Sequence, residues 1–598
     1  METKETKKCP YCGGEILAVA TKCKHCRKWL PKDEEPKEAP HEEVQPEQTP
    51  VEPEATTQPE TQELPKPEPQ ELPTVTPSET IQEETPTETP QVKAEQPHEK
   101  KSKRGYLVYA AIGIVLLLGV IWFFTSSQNY SEKADKLRLE NKFDEATALY
   151  QKAADNNDAY GMWRLSKAYG NGDGIEFSQE KALECLQKAA DNGCEEALAD
   201  LAFAHLYGWY NIPIDTLKGV ELIKQLLQTS SNPYALSRCA MTYIFGYGKS
   251  FEKDCNEAYK VLQKVTDKEN PTYNQAMGLV YWNGSSSIDV DVEKAIEYFK
   301  KAYELGNGYA AYCIGVLYSE GKLLPNDYRK AIEWFNKGVE KNSTQSMTGL
   351  SRIYVTINPD TKDFHDDSKA YNLLKKAMSH GNGDAYSDLG YWYAVGNYFE
   401  KDDQKAFELY KKAAELGSTD GMVNVGVDYL TGRGTAKDID AAEKMWIKAA
   451  ERGNAEAAWR LSLSYSDGTF KWNTEKIVFY LNKAAALDHP AACYKLSDCY
   501  LKGIEGYPKD MFQAFIYMKK AADLGYVDAC VRLSDCYLKG IEGYPKDMFQ
   551  AFIYMKKAAD LGHVDACAKL AYMYYNGIGC EKNLELAKEY KAKAGVTN

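Results

Sequence analysis

The residues best suited to chemistry stand near the start of the chain, in CPYCGGEILAVATKCKHCRKWL. Cys9 and Cys12 form one C-x-x-C knuckle, and Cys23 and Cys26 form a second one about ten residues on. Two thiolates at i and i+3 on a tight turn face one ion, so the two knuckles together make a tetrahedral four-cysteine site for one structural zinc ion. Gly13 and Gly14 let the backbone turn after the first knuckle. Ile16, Leu17, Val19, Trp29 and Leu30 are the apolar groups on hand for a core. They are too few to hold a fold alone, so metal binding would contribute most of the folding free energy. His25 sits inside the second knuckle and is read as a spectator, because four thiolates fill the shell. The competing use of such knuckles is a redox dithiol pair.

Elsewhere the chain offers little chemistry. The remaining cysteines are scattered from Cys185 to Cys580 without knuckle spacing, which is not a disulfide framework. GYGKS at 246–250 looks like the end of a phosphate loop, but Tyr243 stands where the first glycine is required, and helices rather than a strand flank it. No HExxH, GxSxG or dinucleotide fingerprint is present. His205, His365, His380, His489 and His563 are single and far apart, and read as surface or core histidines. The expectation is a protein that is not an enzyme, has no catalytic residues and binds no small-molecule substrate. With a net charge of −14, bulk charge also argues against a nucleic-acid binder.

The cysteine segment resembles the small zinc-ribbon domains at the N-termini of many bacterial proteins, over roughly residues 7–30. Such ribbons sometimes hold nucleic acid, and Lys7, Lys8, Lys22, Lys24, Arg27 and Lys28 surround this one. A ribbon-mediated nucleic-acid or regulatory role is therefore the alternative function. Residues 31–104 follow, rich in Pro, Glu, Thr and Gln, with almost nothing to bury and a basic patch at the end. This composition predicts a disordered tether. Tyr106 to Phe124 then carry no charge, enough for a helix to cross a bilayer core, so 105–125 is expected to be a transmembrane helix. Lys100, Lys101, Lys103 and Arg104 crowd its N-terminal end, whereas the C-terminal flank has no Lys or Arg until Lys133. The positive-inside rule places the N-terminus in the cytoplasm and the rest in the periplasm or outside the cell. Unpaired cysteines run against an exported array, and their place beside helical core positions makes burial their protection.

These motifs leave most of the chain unexplained. LSDCYLKGIEGYPKDMFQAFIYMKKAADLG runs from Leu496 to Gly525 and again, letter for letter, from Leu533 to Gly562. A verbatim tandem copy offers two equivalent units, which points to stacking before it points to chemistry. A looser pattern, apolar–small–x–x–Tyr, recurs as Leu165-Ser166, Met277-Gly278, Ile314-Gly315, Leu350-Ser351, Leu389-Gly390, Val425-Gly426 and Leu461-Ser462, each with its Tyr. It also recurs at Leu570-Ala571, and more weakly at Leu201-Ala202 and Cys239-Ala240. A second signature follows in each unit. In QKAFELYKKAAELG, Ala406, Leu409, Tyr410 and Ala413 share one helix face, and Gly417 suits a helix stop. Each unit thus predicts helix, loop, helix and tight turn. Gly390 and Gly426 are expected to let two helices approach closely.

The pattern resembles the Sel-one-like subclass of tetratricopeptide repeats, as VGVDYLTGRG and GVLYSEGKLLPNDYRKAIEWFNKGVE show. TINPDTKDFHDDSKAY departs from it by lacking the loop glycines. The resemblance implies an all-α, right-handed α-solenoid of about twelve hairpins over 161–598, preceded by a tetratricopeptide-like capping hairpin at 131–160. It also implies that protein partners or peptides bind the concave face, often to build complexes at a membrane. The expected function is a membrane-anchored protein–protein interaction scaffold. Binding of cell-wall glycan, or regulation of an enzyme there, is a further alternative.

Overall fold

The computed structural model describes residues 6–8, 15–17, 130–246, 251–321, 323–358, 360–396, 398–540 and 545–595. The tether and the apolar segment at 105–125 lie outside the described residues. Among the described residues no helix is long and apolar enough to cross a membrane. Near the N-terminus, β1 (Thr6–Lys8) pairs antiparallel with β2 (Glu15–Leu17), with Lys7 opposite Ile16. From residue 130 the described residues form 26 α-helices, α1 (130–139) to α26 (Leu584–Lys593), arranged as a solenoid of hairpins. Odd-numbered helices are the first of each hairpin and even-numbered helices the second.

Local sequence sets these helix limits. Most second helices open with an Asp, Ser or Asn whose side chain accepts an N–H of the first turn. Asp402 accepts from Lys405 at 2.9 Å before α16 (Asp403–Glu415), and Asp438 from Ala441 at 2.9 Å before α18 (Ile439–Glu451). Gly417 follows α16 with φ +92°, a conformation that L side chains rarely adopt. Loop glycines meet a different demand. A Cβ on Gly434 would collide with the backbone carbonyl of Asp403, so the loop after the first helix fits against the start of the preceding second helix only without a side chain. In the departing stretch the glycines are replaced by a 3-10 turn at Lys362–Phe364, held by buried Thr361, which donates to the Thr356 carbonyl at 2.7 Å.

The core follows a volume rule between the two helices of a unit. Gly278, Gly315, Gly390 and Gly426 of the first helices lie against the rings of Phe299, Phe335, Tyr410 and Trp446 of the second helices. In most units where the first helix carries Ser or Ala instead, as at Ser351, Ser497 and Ser534, the equivalent second-helix residue is apolar and without a ring: Leu374, Met518 and Met555. The serine hydroxyls also donate to second-helix carbonyls, Ser497 to Ala514 at 2.7 Å and Ser534 to Ala551 at 2.6 Å. All of these side chains are buried. The space left by the missing Cβ is thus filled by a ring. This sharpens the expected role of Gly390 and Gly426: what approaches closely is an aromatic ring.

The first helices of neighbouring units pack on one another, as α5 (Glu195–Tyr207) does on α7 (Pro233–Phe245) and α15 (Gly383–Val395) on α17 (Thr419–Thr431). They form the inner layer, and the second helices the outer one. The array curves tightly enough for distant units to meet along a seam. Arg138 donates to the Gly306 carbonyl at 3.3 Å, Asn342 to the Asp173 carboxylate at 3.1 Å, and Arg452 to the Gly208 carbonyl at 3.0 Å. These contacts join residues 168, 169 and 244 positions apart.

Candidate functional site

The inner layer is held by polar rungs that run from one first helix to the next. One kind starts at the helix caps. The Asn232 side chain, which caps α7, also donates to Glu196 of α5 at 2.9 Å. Ser418, capping α17, donates to Asp384 of α15 at 2.6 Å, and Asn454, capping α19 (Ala455–Ser466), donates to Asp420 of α17 at 3.1 Å. Each cap therefore serves its own helix and the neighbouring one.

A second kind pairs charges half-way along the helices. Asp200 of α5 is fully buried and links three first helices. It accepts from Trp163 Nε1 at 2.9 Å and Lys167 Nζ at 3.1 Å, both on α3 (Ala159–Asn171), and from the Tyr234 hydroxyl of α7 at 2.8 Å. Arg238 Nε of α7 lies 3.2 Å from the same carboxylate. Burial alone would push the Asp200 carboxyl up, but Lys167, Arg238 and the two neutral donors outweigh it and hold it below the usual range. The rung is strong because the charge is both paired and hydrogen-bonded.

The middle of the inner layer is different. Arg352 forks onto Asp388 of α15 at 3.0 and 3.1 Å. Asp384, Asp388 and Asp420 then crowd one another across α15 and α17. Burial pushes the Asp388 carboxyl up, with Arg352 pulling it back and Asp384 and Asp420 adding to the rise. Partial desolvation among its neighbours and the Asp384 charge likewise push the Asp420 carboxyl up. Glu456 follows on α19, held low by His489 at 3.0 Å. The arrangement presents carboxylates in a row and favours cationic groups.

Of the other sequence candidates, those within the described residues resolve as structural. Cys9, Cys12, Cys23 and Cys26 lie outside the described residues, and β1 and β2 pair on either side of the first knuckle. Among the described residues no group of three or more His, Cys, Asp or Glu could hold a metal. The eleven cysteines there are unpaired thiols, nine of them buried. Burial pushes the Cys239 thiol up to about 12 and the Cys493 thiol up to about 11, so neither is poised as a nucleophile. His489 and His563 cap α21 (Pro490–Lys502) and α25 (Val564–Asn576) through ring nitrogens. His380 bonds the Asn171 carbonyl across the seam at 2.7 Å. Beside it, a cavity of about 510 Å³ opens between Phe143, Glu145, Gly174 and Asn342.

Most tyrosines among the described residues lie in or against the core. Tyr410 and Tyr465 are among the largest fully buried side chains, whereas Tyr391 and Tyr572 are exposed on first helices. The sequence reading missed the cross-unit rungs. Their signal was present: residue six after the cap is Arg164, Asp200, Arg238, Asp388, Arg460, Lys495, Arg532 or Lys569 in the units that carry a charge there.

Comparison with known proteins fits this architecture. The Sel1 repeat family matches residues 139–158, 159–194, 195–226, 233–264, 274–307, 308–343, 363–382, 383–418, 419–454, 455–489, 490–526, 527–563 and 564–595. Over 233 residues the chain is 25% identical to an ERAD-associated E3 ubiquitin-protein ligase component of Arabidopsis thaliana, covering 37% of this chain and 36% of that protein. Over 261 residues it is 28% identical to a chitin synthase regulator of Saccharomyces cerevisiae, covering 43% of this chain and 32% of that protein. The chain thus spans about a third of the length of these relatives. Among solved structures, a protective antigen of uropathogenic Escherichia coli displaying an SLR fold is 25% identical, with a TM-score of 0.32, covering 75% of this chain and 95% of that one. A Sel1 repeat protein of Oxalobacter formigenes is 29% identical, with a TM-score of 0.32, covering 38% of this chain and 92% of that one. The chain belongs to the Sel1 repeat family.

Proposed function

We propose that this Sel1-repeat chain is a membrane-anchored interaction scaffold that holds polypeptide partners along its inner helix layer. The observation that carries this reading is the cluster of three carboxylates at Asp384, Asp388 and Asp420, which share a single guanidinium, that of Arg352 on Asp388. Such a cluster favours a partner segment rich in Lys or Arg. The relatives support an adaptor or regulator: one is named as a ligase component and one as a regulator. The chain itself would perform no reaction.

In this reading Cys9, Cys12, Cys23 and Cys26 hold one structural zinc ion in a cytoplasmic ribbon. Residues 31–104 tether that ribbon to a single membrane-crossing helix at 105–125, and the array lies outside the cytoplasm. The donor set suits zinc, and pairing of β1 with β2 reverses the chain around the first knuckle, as such a site requires. A chelator should unfold the ribbon and leave the array's melting unchanged.

In-cell cross-linking of the full chain through a C-terminal tag tests the scaffold. A protein partner recovered with the parent chain, and lost with Asp384→Lys plus Asp420→Lys, is the expected result. Capture of nucleic acid or glycan without a protein would overturn it. The chitin synthase regulator among the relatives favours one second reading, in which the partner is a cell-envelope enzyme and the array regulates it.

A further inference from the structure

The outer face changes character in three consecutive units. On most second helices, the residues two and six positions after the cap are exposed. They are Glu293 and Glu297 on α10 (Val292–Glu304), Gln404 and Glu408 on α16, and Asp440 and Lys444 on α18. In α22 (Met511–Asp523) the same positions are Phe512 and Ile516, and in α24 (Met548–Asp560) they are Phe549 and Ile553. In α20 (Thr474–Ala486) the second of them is Phe479, with Trp472 in the loop just before the helix. Phe479, Phe512 and Phe549 are 57%, 67% and 59% exposed. Exposed Leu217 takes the first of these positions on α6 (Thr216–Thr229), but polar residues hold them on α4 (Gln179–Asp191) and α8 (Cys255–Gln263) on either side. In α26 the apolar positions stop, replaced by Glu585 and Glu589.

The three apolar helices are also net positive, an excess that continues into α26. Residues 471–486, 509–523 and 546–560 carry nine Lys against five Asp or Glu, a local excess of four positive charges in a chain of net −14. Lys519 lies exposed one turn beyond Ile516; Lys556, at the same position beyond Ile553, is half-buried and pairs with Asp560 of its own helix at 2.7 Å.

We propose that the outer face of α20, α22 and α24 docks on a lipid surface carrying anionic headgroups. Phe, Ile and Trp472 enter the boundary between headgroups and acyl chains, and the lysines meet the phosphates. Shape agrees: a convex face meets a plane over only a few units, and the apolar positions cover three. Charge argues against a second copy of the chain as the occupant, because two such faces would set one lysine excess against the other. The inference does not rest on the inner-face reading. It also gives the verbatim tandem copy a use, since copying the unit doubles the lipid-facing residues.

The test places the photoreactive residue p-benzoylphenylalanine at one site per chain, Phe512, Phe549 or Glu408. The full chain is reconstituted in phosphatidylcholine vesicles with or without phosphatidylglycerol, irradiated and weighed by mass spectrometry. Lipid adducts are expected at positions 512 and 549, about fivefold more abundant with phosphatidylglycerol, and absent at 408. Lys519→Glu with Lys556→Glu should abolish the phosphatidylglycerol gain while leaving the melting curve in place. A chain-to-chain cross-link as the main product, equal lipid adducts at 408 and 512, or no adduct at 512 and 549 would overturn the proposal.

Discussion

In the unit of α17 and α18, bare Gly426 lies against the ring of Trp446, whereas in the tandem units Ser497 and Ser534 stand opposite Met518 and Met555. A second position differs in parallel. Two residues beyond the Gly or Ser, the first unit buries Asp428, and the tandem units bury Cys499 and Cys536. Asp428 is fully buried and salt-bridged to Arg433 of its own loop. Burial pushes its carboxyl up to about 6, with Arg433 pulling it back. Burial pushes the Cys499 thiol up to about 12, so that unit stays neutral there. One hairpin geometry therefore accepts two core chemistries, one sensitive to pH and one indifferent to it.

The strongest way to break this comparison is Trp446→Ala. It removes a ring that is 2% exposed and donates to the Val423 carbonyl at 3.0 Å. The expected cost is about 3–5 kcal/mol in denaturant unfolding of the array. Met518→Ala should cost less, about 2–4 kcal/mol, because a smaller cavity opens.

Protonation separates the units next. The unfolded Asp428 carboxyl titrates at its ordinary 3.8 and the folded one near 6, so between those values the folded state holds the proton more tightly. Stability from this group is highest at low pH and is lost as pH rises through about 6, by roughly 2–3 kcal/mol in all. Asp428→Asn should flatten the difference between melting at pH 4 and pH 7. A variant with the parent's slope would contradict the assignment.

Gly426→Ala should cost about 1–3 kcal/mol, since the added Cβ meets the Trp446 ring. Combined with Trp446→Leu, the exchange imitates the aliphatic pairing of the tandem units. The double variant should then be more stable than the sum of the singles by about 0.5–3 kcal/mol in a mutant cycle. Additive singles would end the volume rule.

The smallest effect is expected from removing one tandem copy. Deleting residues 496–532 joins Lys495 to Leu533, the counterpart of Leu496, and restores the same local sequence. The shortened array should melt cooperatively within a few degrees of the parent.

Sequence by itself determined the unit. Spacing of Ala406, Tyr410 and Ala413 marked a buried helix face, Gly417 marked its end, and the tandem copy marked a stack; each signal acts within about one hairpin. That Gly426 marks a close approach was also legible, but its partner, the Trp446 ring, came from the structure. The rung position repeats in the sequence, but tertiary structure decided which charges meet there. Asp200 looks like any acidic residue on a helix until curvature brings Trp163, Lys167, Tyr234 and Arg238 onto it from the units before and after. The seam between Arg452 and Gly208, 244 residues apart, is less legible still. Its register is the sum of many small rotations between units, and no short stretch of sequence carries that sum.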